Sequence, residues 1–378
     1  MRDFAPEAWD ALVPRASRPF ASWAFLDLLE RSGSAVPERG WQSSHVSIWE
    51  DGRLVAAAPG WLKSHSMGEL FYNDFRWAES TARVGVDYYP KLICTVPFSP
   101  IPAPKLLVGE GADAVDRRRV LGRALFGIAE QMGISSAAVL FASAEDLAAL
   151  EAEGFAPGAG LQFQWENQGY ASYDDFLARF ASKRRHMIKS ERAQAAKDGT
   201  RIETLTGPDL TPERMAFAAG CYEGTVERHA WNTNAPPLTE AFFQGAPAAL
   251  GDALELVMAS EQGRNIACAF NVRGADRLYG RHWGALEERR FLHFNVCYYH
   301  AIERCIGLGL AAFEPGAGGD HKLVRGFEPV VVRSAHRFVE PRLHRAFAVH
   351  LEREVAAVEA EVLRVRDEGA AFRSSRAG

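Results

Sequence analysis

Apolar positions along the chain switch repeatedly between helical and strand-like periods. In residues 20–31, Trp23, Leu26 and Leu29 recur at helical spacing. From Ser44 to Ser66 two strand-like runs flank Asp51-Gly52, a strong hairpin signal, and the second ends in Lys63-Ser64-His65-Ser66. An aromatic, polar stretch at 68–80 reads as a loop, and Tyr88-Tyr89-Pro90-Lys91 then leads into the strand-like run LICTV. Further on, the pattern predicts a helix over 117–132, a buried strand over 137–142 and a helix over 145–153 that stops at Gly154. A strand over 155–166 follows, with Phe163 and Trp165 alternating. This order fits a mixed α/β sheet.

Residues 173–199 break from that composition. Seven Lys or Arg residues and a single acid, Glu191, lie between Phe176 and Lys197, and Phe176, Phe180 and Ile188 can anchor one side of the helix. A helix over 212–229, the loop WNTNAPPL at 231–238 and strands over 254–260, 265–272 and 278–283 come next. A helix from Val296 and a strand over 310–314 then repeat the layout of the first half, as a structural duplication would. Ser334–Val339 reads as a last strand. The tail from about Leu343 places Phe347, Leu351, Val355, Val358, Val362 and Val365 on one helical face. The expected organisation is a domain at 1–168, a basic helical segment at 169–200 and a second domain at 201–378.

Composition narrows the class. The chain has 378 residues, 47% hydrophobic and 24% charged, which is ordinary for a globular protein with a sizeable core. The net charge of -5 argues against polyanion binding by the molecule as a whole and leaves the basic segment as a local candidate. It is either a solvated helical face or an electrostatic site for phosphate, including tRNA through 179–197. Five cysteines at irregular spacing argue against a disulfide framework. No run of ~18 apolar residues and no leader-like N-terminus occur, so the expected location is the cytoplasm, with no membrane span.

The P-loop, GxSxG, CxxC and HExxH motifs are missing. His293, Cys297 and His300 share one helix at a spacing that suits a metal, but apolar neighbours favour packing, and no metal is expected. Arg119, Gly122 and Ala124 open a helix after a glycine-rich loop, a layout that can hold a pyrophosphate on backbone N–H groups or simply start a helix. The strongest candidate is the turn after strand 310–314. There Glu314 or His321 could orient or deprotonate an amine, while Lys322 and Arg325 could neutralise phosphate or an oxyanion. Alternatively, Glu314 and Arg325 pair with each other. Arg281 and Trp283 at the preceding strand's end, with His293, are candidates for the same site. So are Lys63, His65 and Lys91 from the first half.

The segments LVAAAPGWLKSHS (54–66), YYPKL (88–92), PFSP (97–100), KRR (183–185), GRHWG (280–284), CYYHAIE (297–303), FEPGAGGDHK (313–322), RGFEP (325–329) and SAH (334–336) carry a resemblance. Together they make the chain similar to the FemAB-like peptidoglycan biosynthesis/recognition proteins, near the GNAT acyltransferases. The resemblance spans about Pro19 to His336. It implies α/β architecture with mixed sheets in tandem GNAT-like domains, and transfer of an aminoacyl group from aminoacyl-tRNA to an amine of a cell-wall precursor. Arg325-Gly326-Phe327 is similar to the family's basic residue before Gly-Phe, and 173–199 to its helical arm. Asn295 stands where the family usually has Glu, His300 where it has Gln, and the 231–238 loop departs from the shorter family loop. The reading is therefore an N-acyltransferase with no tightly bound cofactor and aminoacyl-tRNA preferred over acyl-CoA as co-substrate. Its rivals are a recognition protein with a decayed cleft and an acetyl-CoA-dependent N-acetyltransferase. The acceptor is a small-molecule or peptide amine whose identity stays open.

Overall fold

The computed structural model describes the whole chain except residues 70–73, 84, 234–237, 288, 317–318 and 372–378. Part of the aromatic stretch at 68–80, half of the 231–238 loop and Ala317-Gly318 of the glycine-rich turn thus lie outside the described residues. The chain forms two compact units. The first is chiefly Met1–Gly160 with Val331–Glu359, and the second is chiefly Leu161–Thr233 and Thr239–Val330 with the end of the last helix. Residues 331–359, expected with the second domain, therefore belong to the first unit.

In the first unit, α1 (Pro6–Asp10) and α2 (Trp23–Arg31) precede β1 (Trp41–Ser43) and the hairpin β2 (Val46–Glu50)–β3 (Arg53–Ala58), which turns at Asp51-Gly52 as the sequence predicts. Then come β4 (Gly60–Lys63), α3 (Asp74–Arg83), β5 (Lys91–Cys94), α4 (Ala114–Met132), β6 (Ser136–Ala142), α5 (Ala144–Ala152) and β7 (Ala156–Glu166). The second half of the 68–80 stretch is therefore helix, not loop. Its Trp77 is buried edge-on against His336, 4.8 Å between ring centres, so tertiary packing overrides a weak local signal.

The second unit opens with the end of β7, from Leu161, and then the basic segment, which is two helices, α6 (Tyr173–Ala178) and α7 (Ser182–Lys197). Next are β8 (Arg201–Leu205), α8 (Pro212–Thr233), α9 (Glu240–Leu250), β9 (Leu254–Glu261), β10 (Arg264–Arg273) and β11 (Arg277–Ala285). A continuous helical run follows: α10 (Leu292–Phe294), a π turn at Asn295–Tyr299 and α11 (His300–Leu308). After β12 (Ala312–Glu314) and a 3-10 turn at Asp320–Arg325, β13 (Glu328–Phe338) and α12 (Pro341–Ala371) complete the chain.

In the first unit β4 pairs with β1 and β5 antiparallel, β5 with β6 parallel and β6 with β13 antiparallel. α4 covers this sheet through Leu121 and Leu125, which meet Leu92, Val139 and Leu150. In the second unit the strand order is β7-β12-β11-β10-β9-β8. Among the described strands of this unit only β11 and β12 run parallel, and the helical run from Leu292 to Leu308 connects them. The aromatic core between that run and α6–α7 holds Trp165, Phe176, Ile188, Tyr299, Phe313 and Phe327.

Candidate functional site

The parallel pair β11–β12 frames the site in the second unit. β12 ends at Glu314, opposite Tyr279, while β11 runs on to Ala285. Against β10, β11 is bulged: Asn271 faces Gly280 and Phe270 faces His282, so Arg281 is the extra residue. A bulge re-aims the side chain it frees. The Arg281 Nε donates to Gly280 O at 2.9 Å, while Nη1 is shielded from solvent and meets no acceptor among the described residues. His282, by contrast, packs against Tyr222, Phe243 and Phe270. Burial, then the nearby Arg281 charge, drop it to about 3 and hold it neutral.

The turn after β12 comes back over Arg281. A side chain at Gly316 would stand 3.3 Å from Gly280 O and 3.7 Å from the Arg281 Nη2, so only the bare backbone fits comfortably, and its φ of +86° also favours glycine. Lys322, only 2% exposed, donates from Nζ to Gly316 O at 2.6 Å. Burial, reinforced by repulsion from Arg281, pulls its pKa down to about 7. Arg281 is likewise lowered by burial, with Glu314 opposing the shift. Glu314 is itself buried and accepts from the Arg277 Nη1 at 3.0 Å, so it pairs with Arg277 and not with Arg325.

Arg325 faces the other way. Its Nε and Nη2 bind the two carboxylate oxygens of Glu191 at 3.0 and 2.7 Å, and both side chains are buried. Nη1 donates to His321 O at 2.8 Å, and the guanidinium lies 3.5 Å from the centre of the Phe294 ring. Tyr299 donates its hydroxyl to Glu191, whose carboxylate therefore has three donors. The expectation that Arg325 holds phosphate is corrected accordingly: its fork is spent on Glu191, and it fixes the turn on α7. Ile188, Glu191 and Ala195 form the buried stripe of α7, and that helical spacing, with one acid among many bases, was the signal available for Glu191.

The π turn sets the facing wall. One residue more per turn than an α-helix brings His293, Phe294 and Tyr298 all toward the loop. Tyr298 shares a 2.9 Å hydrogen bond with the His321 Nε2 and stacks on its ring, and His293 lies 5.1 Å from Tyr298 and 5.2 Å from Trp283, between ring centres. Burial, then the positive groups His321, Lys322 and Arg325, lower His293 to about 4. His321 is exposed. The structure thus gathers Arg281, Trp283, His293, Glu314, His321, Lys322 and Arg325 in one region.

The first-unit candidates are bound up locally. Lys63 donates to Met67 O at 3.0 Å and lies 3.7 Å over the Trp41 ring, Lys91 pairs with Glu69 at 2.8 Å, and the His65 Nδ1 accepts from Met67 N at 3.1 Å. Arg119, Gly122 and Ala124 do not open a helix. α4 starts at Ala114, so their N–H groups sit in the helix interior, and Arg119 pairs with Glu153 at 2.7 Å. Gly122 lets α5 approach closely, a side chain there being 3.3 Å from Leu150. The pyrophosphate layout expected of these three residues lacks its helix N-terminus. His293, Cys297 and His300 do not converge: the His300 Nε2 and the Thr204 hydroxyl share a 2.8 Å hydrogen bond, and no metal-binding cluster of His, Cys, Asp or Glu occurs among the described residues.

The sequence profile of the FemAB-like family, described as peptidoglycan biosynthesis/recognition, matches residues 1–374. The chain belongs to the FemAB-like family. No curated protein matches it. Among solved structures it is similar to FemX, at 12% identity and a TM-score of 0.53 over 91% of this chain and 98% of that one. A conserved protein of unknown function from Bacteroides thetaiotaomicron gives 12% identity and 0.51 over 89% and 98%. The C-terminal domain of a putative lysylphosphatidylglycerol synthetase from Agrobacterium fabrum gives 12% and 0.50 over 88% and 96%. These likenesses establish a mixed α/β fold shared with FemX. No helix among the described residues is long and apolar enough to cross a membrane. In this FemAB-like chain Asn295 is buried, and its amide donates to Glu191 O at 2.9 Å and Phe291 O at 3.0 Å, a scaffold role with no carboxylate to act as base.

Proposed function

We propose that this protein is an N-acyltransferase that forms an amide bond, moving an aminoacyl group from aminoacyl-tRNA to an amine of a peptide or cell-wall-type acceptor. The observation that supports it is the pair of cations at the bulge of β11, Arg281 and the Lys322 that the turn brings over it. Lys322 and Arg281 repel each other out of water, and the Arg281 Nη1 has no acceptor among the described residues. Such a pair is relieved by an anion, either a donor phosphate or the oxyanion of a tetrahedral intermediate. An arriving anion raises the Lys322 pKa and recharges it. In the transfer the amine nitrogen bonds to the ester carbonyl carbon, the bond from that carbon to the ribose oxygen breaks, and the amine proton passes to the leaving hydroxyl. His321, held by Tyr298 at 2.9 Å, is the group that orients the amine. Positioning and charge neutralisation carry the rate, with no covalent enzyme intermediate.

The test is to incubate the protein with charged tRNAs, acetyl-CoA and candidate amines and read new amide masses. Lys322→Met and Arg281→Met are each expected to lower turnover by about 10²–10³, as removal of an oxyanion donor does. Turnover unchanged in both variants would sink the site. The buried, carboxylate-free Asn295 favours a second reading, a recognition protein that binds a cell-wall peptide without chemistry. Tight peptide binding with no new mass from any donor supports it.

A further inference from the structure

Beside His293 the second unit has a pocket of about 410 Å³. Its lining includes Trp283 and Leu292, with the His293 ring alongside. Thr225 and Arg228 from α8, with Glu287 and Arg289, bring the polar groups of the lining. Its charges differ in kind. Glu287 is already matched by Arg264 and by Arg289 at 2.5 Å. Arg228 has no carboxylate partner among the described residues. Its Nη1 donates to Ala285 O at 3.3 Å and its Nη2 to the Thr225 hydroxyl at 3.1 Å. Two neutral acceptors hold the fork in place, with no carboxylate on it among the described residues.

An unopposed guanidinium beside an indole and a leucine suits an organic carboxylate attached to an apolar group. A phosphate dianion is a poorer match, because Glu287 and Arg289 on the same lining offset each other and leave one guanidinium. The volume lies at the small end of the ~300–1,000 Å³ usual for small-molecule sites, which suits one amino acid or a peptide terminus. His293, neutral around pH 7, can donate or accept a hydrogen bond without adding charge.

We propose that this pocket binds the carboxylate terminus of an amino acid or short peptide, with Arg228 on the carboxylate and Trp283 and Leu292 on the apolar side chain. The pocket adjoins His293 and, through it, Tyr298 and His321. Naming the ligand as the amine acceptor rests on the acyltransferase reading, whereas the binding itself needs no turnover.

The experiment is calorimetric titration of the full chain, without donor, using alanyl-leucine and its C-terminal amide. The free acid is expected to bind about tenfold or more tightly, as a lost charge-assisted hydrogen bond implies. Arg228→Gln brings the acid down to the amide's affinity and Arg228→Lys restores part of the difference. Trp283→Ala weakens both ligands and keeps their ratio. Melting curves of each variant check that it folds. Equal affinity for acid and amide, a preference that survives Arg228→Gln, binding of neither ligand at millimolar concentration, or displacement of the dipeptide by inorganic phosphate each overturns the proposal. A dipeptide preference without turnover on any donor defeats the acyltransferase reading and leaves the pocket standing.

Discussion

Removing the Arg325 guanidinium strands a carboxylate inside the second unit. Glu191 and Arg325 expose only 6% of each side chain, and Arg325 supplies two of the three donors that reach the Glu191 oxygens. In Arg325→Ala the carboxylate keeps only the Tyr299 hydroxyl. Breaking one side of a buried pair costs about 3–5 kcal/mol, against roughly 0–1 kcal/mol for an exposed pair. Loss of the 3.5 Å guanidinium–Phe294 contact adds about 0.5–2 kcal/mol. The double variant Glu191→Leu/Arg325→Met removes both charges and fills similar volume, so it is expected to recover most of the loss. The assay is urea unfolding of the wild type, Arg325→Ala, the singles Glu191→Leu and Arg325→Met, and their double, followed by circular dichroism. A coupling energy above about 2 kcal/mol supports the anchor. A loss below about 1 kcal/mol in Arg325→Ala, or singles that simply add to the double, would refute the claim that this pair ties the turn to α7.

Lys322 gives a pH signature. Its folded pKa of about 7 lies below the ordinary lysine value of 10.5, so between those values the unfolded chain binds the extra proton. Stability therefore rises with pH across that window, and Lys322→Met should flatten the rise in unfolding free energy measured from pH 6 to 10. Asp146, buried and accepting from Lys105 N at 2.6 Å, is raised by burial to about 6 from 3.8. Here the folded state holds the extra proton, so its contribution falls as pH rises from about 4 to 6, and an Asp146→Asn chain should lack that segment of the titration. Gly284→Ala places a Cβ 1.8 Å from Cys221 O, a backbone atom that cannot swing aside, and should cost at least about 3 kcal/mol in urea unfolding or prevent recovery of folded protein.

Much of the fold was legible because its signals are local. The Asp51-Gly52 hairpin, the strands flanking 262–263 and 274–276, and α4 and α5 each follow from turn chemistry or a clean period. α9 was not read, since Pro247 lies inside it, nor was β8, five residues that gain their identity by pairing with β9. At the site, Lys322 and Arg281 could be picked from the sequence as cations near a strand end. That Arg281 is freed by a bulge depends on a register shift between two strands, which no single stretch encodes. Arg325 was misread for the same reason: its partner lies 134 residues away on another helix.

The wide turn at Asn295–Tyr299 has a consequence for how this chain can vary. Its surplus residue advances everything ahead of it by about 100° relative to an unbroken α-helix. Excising one residue there would let the segment relax into ordinary winding, yet α11 would stay anchored through Ile302 and Cys305 in the core. Only the leading end would spin, carrying the imidazole of His293 off Trp283 and Tyr298. The spacing from 295 to 299 thus works as an alignment key, and length at this point is as constrained as the identity of any side chain it orients.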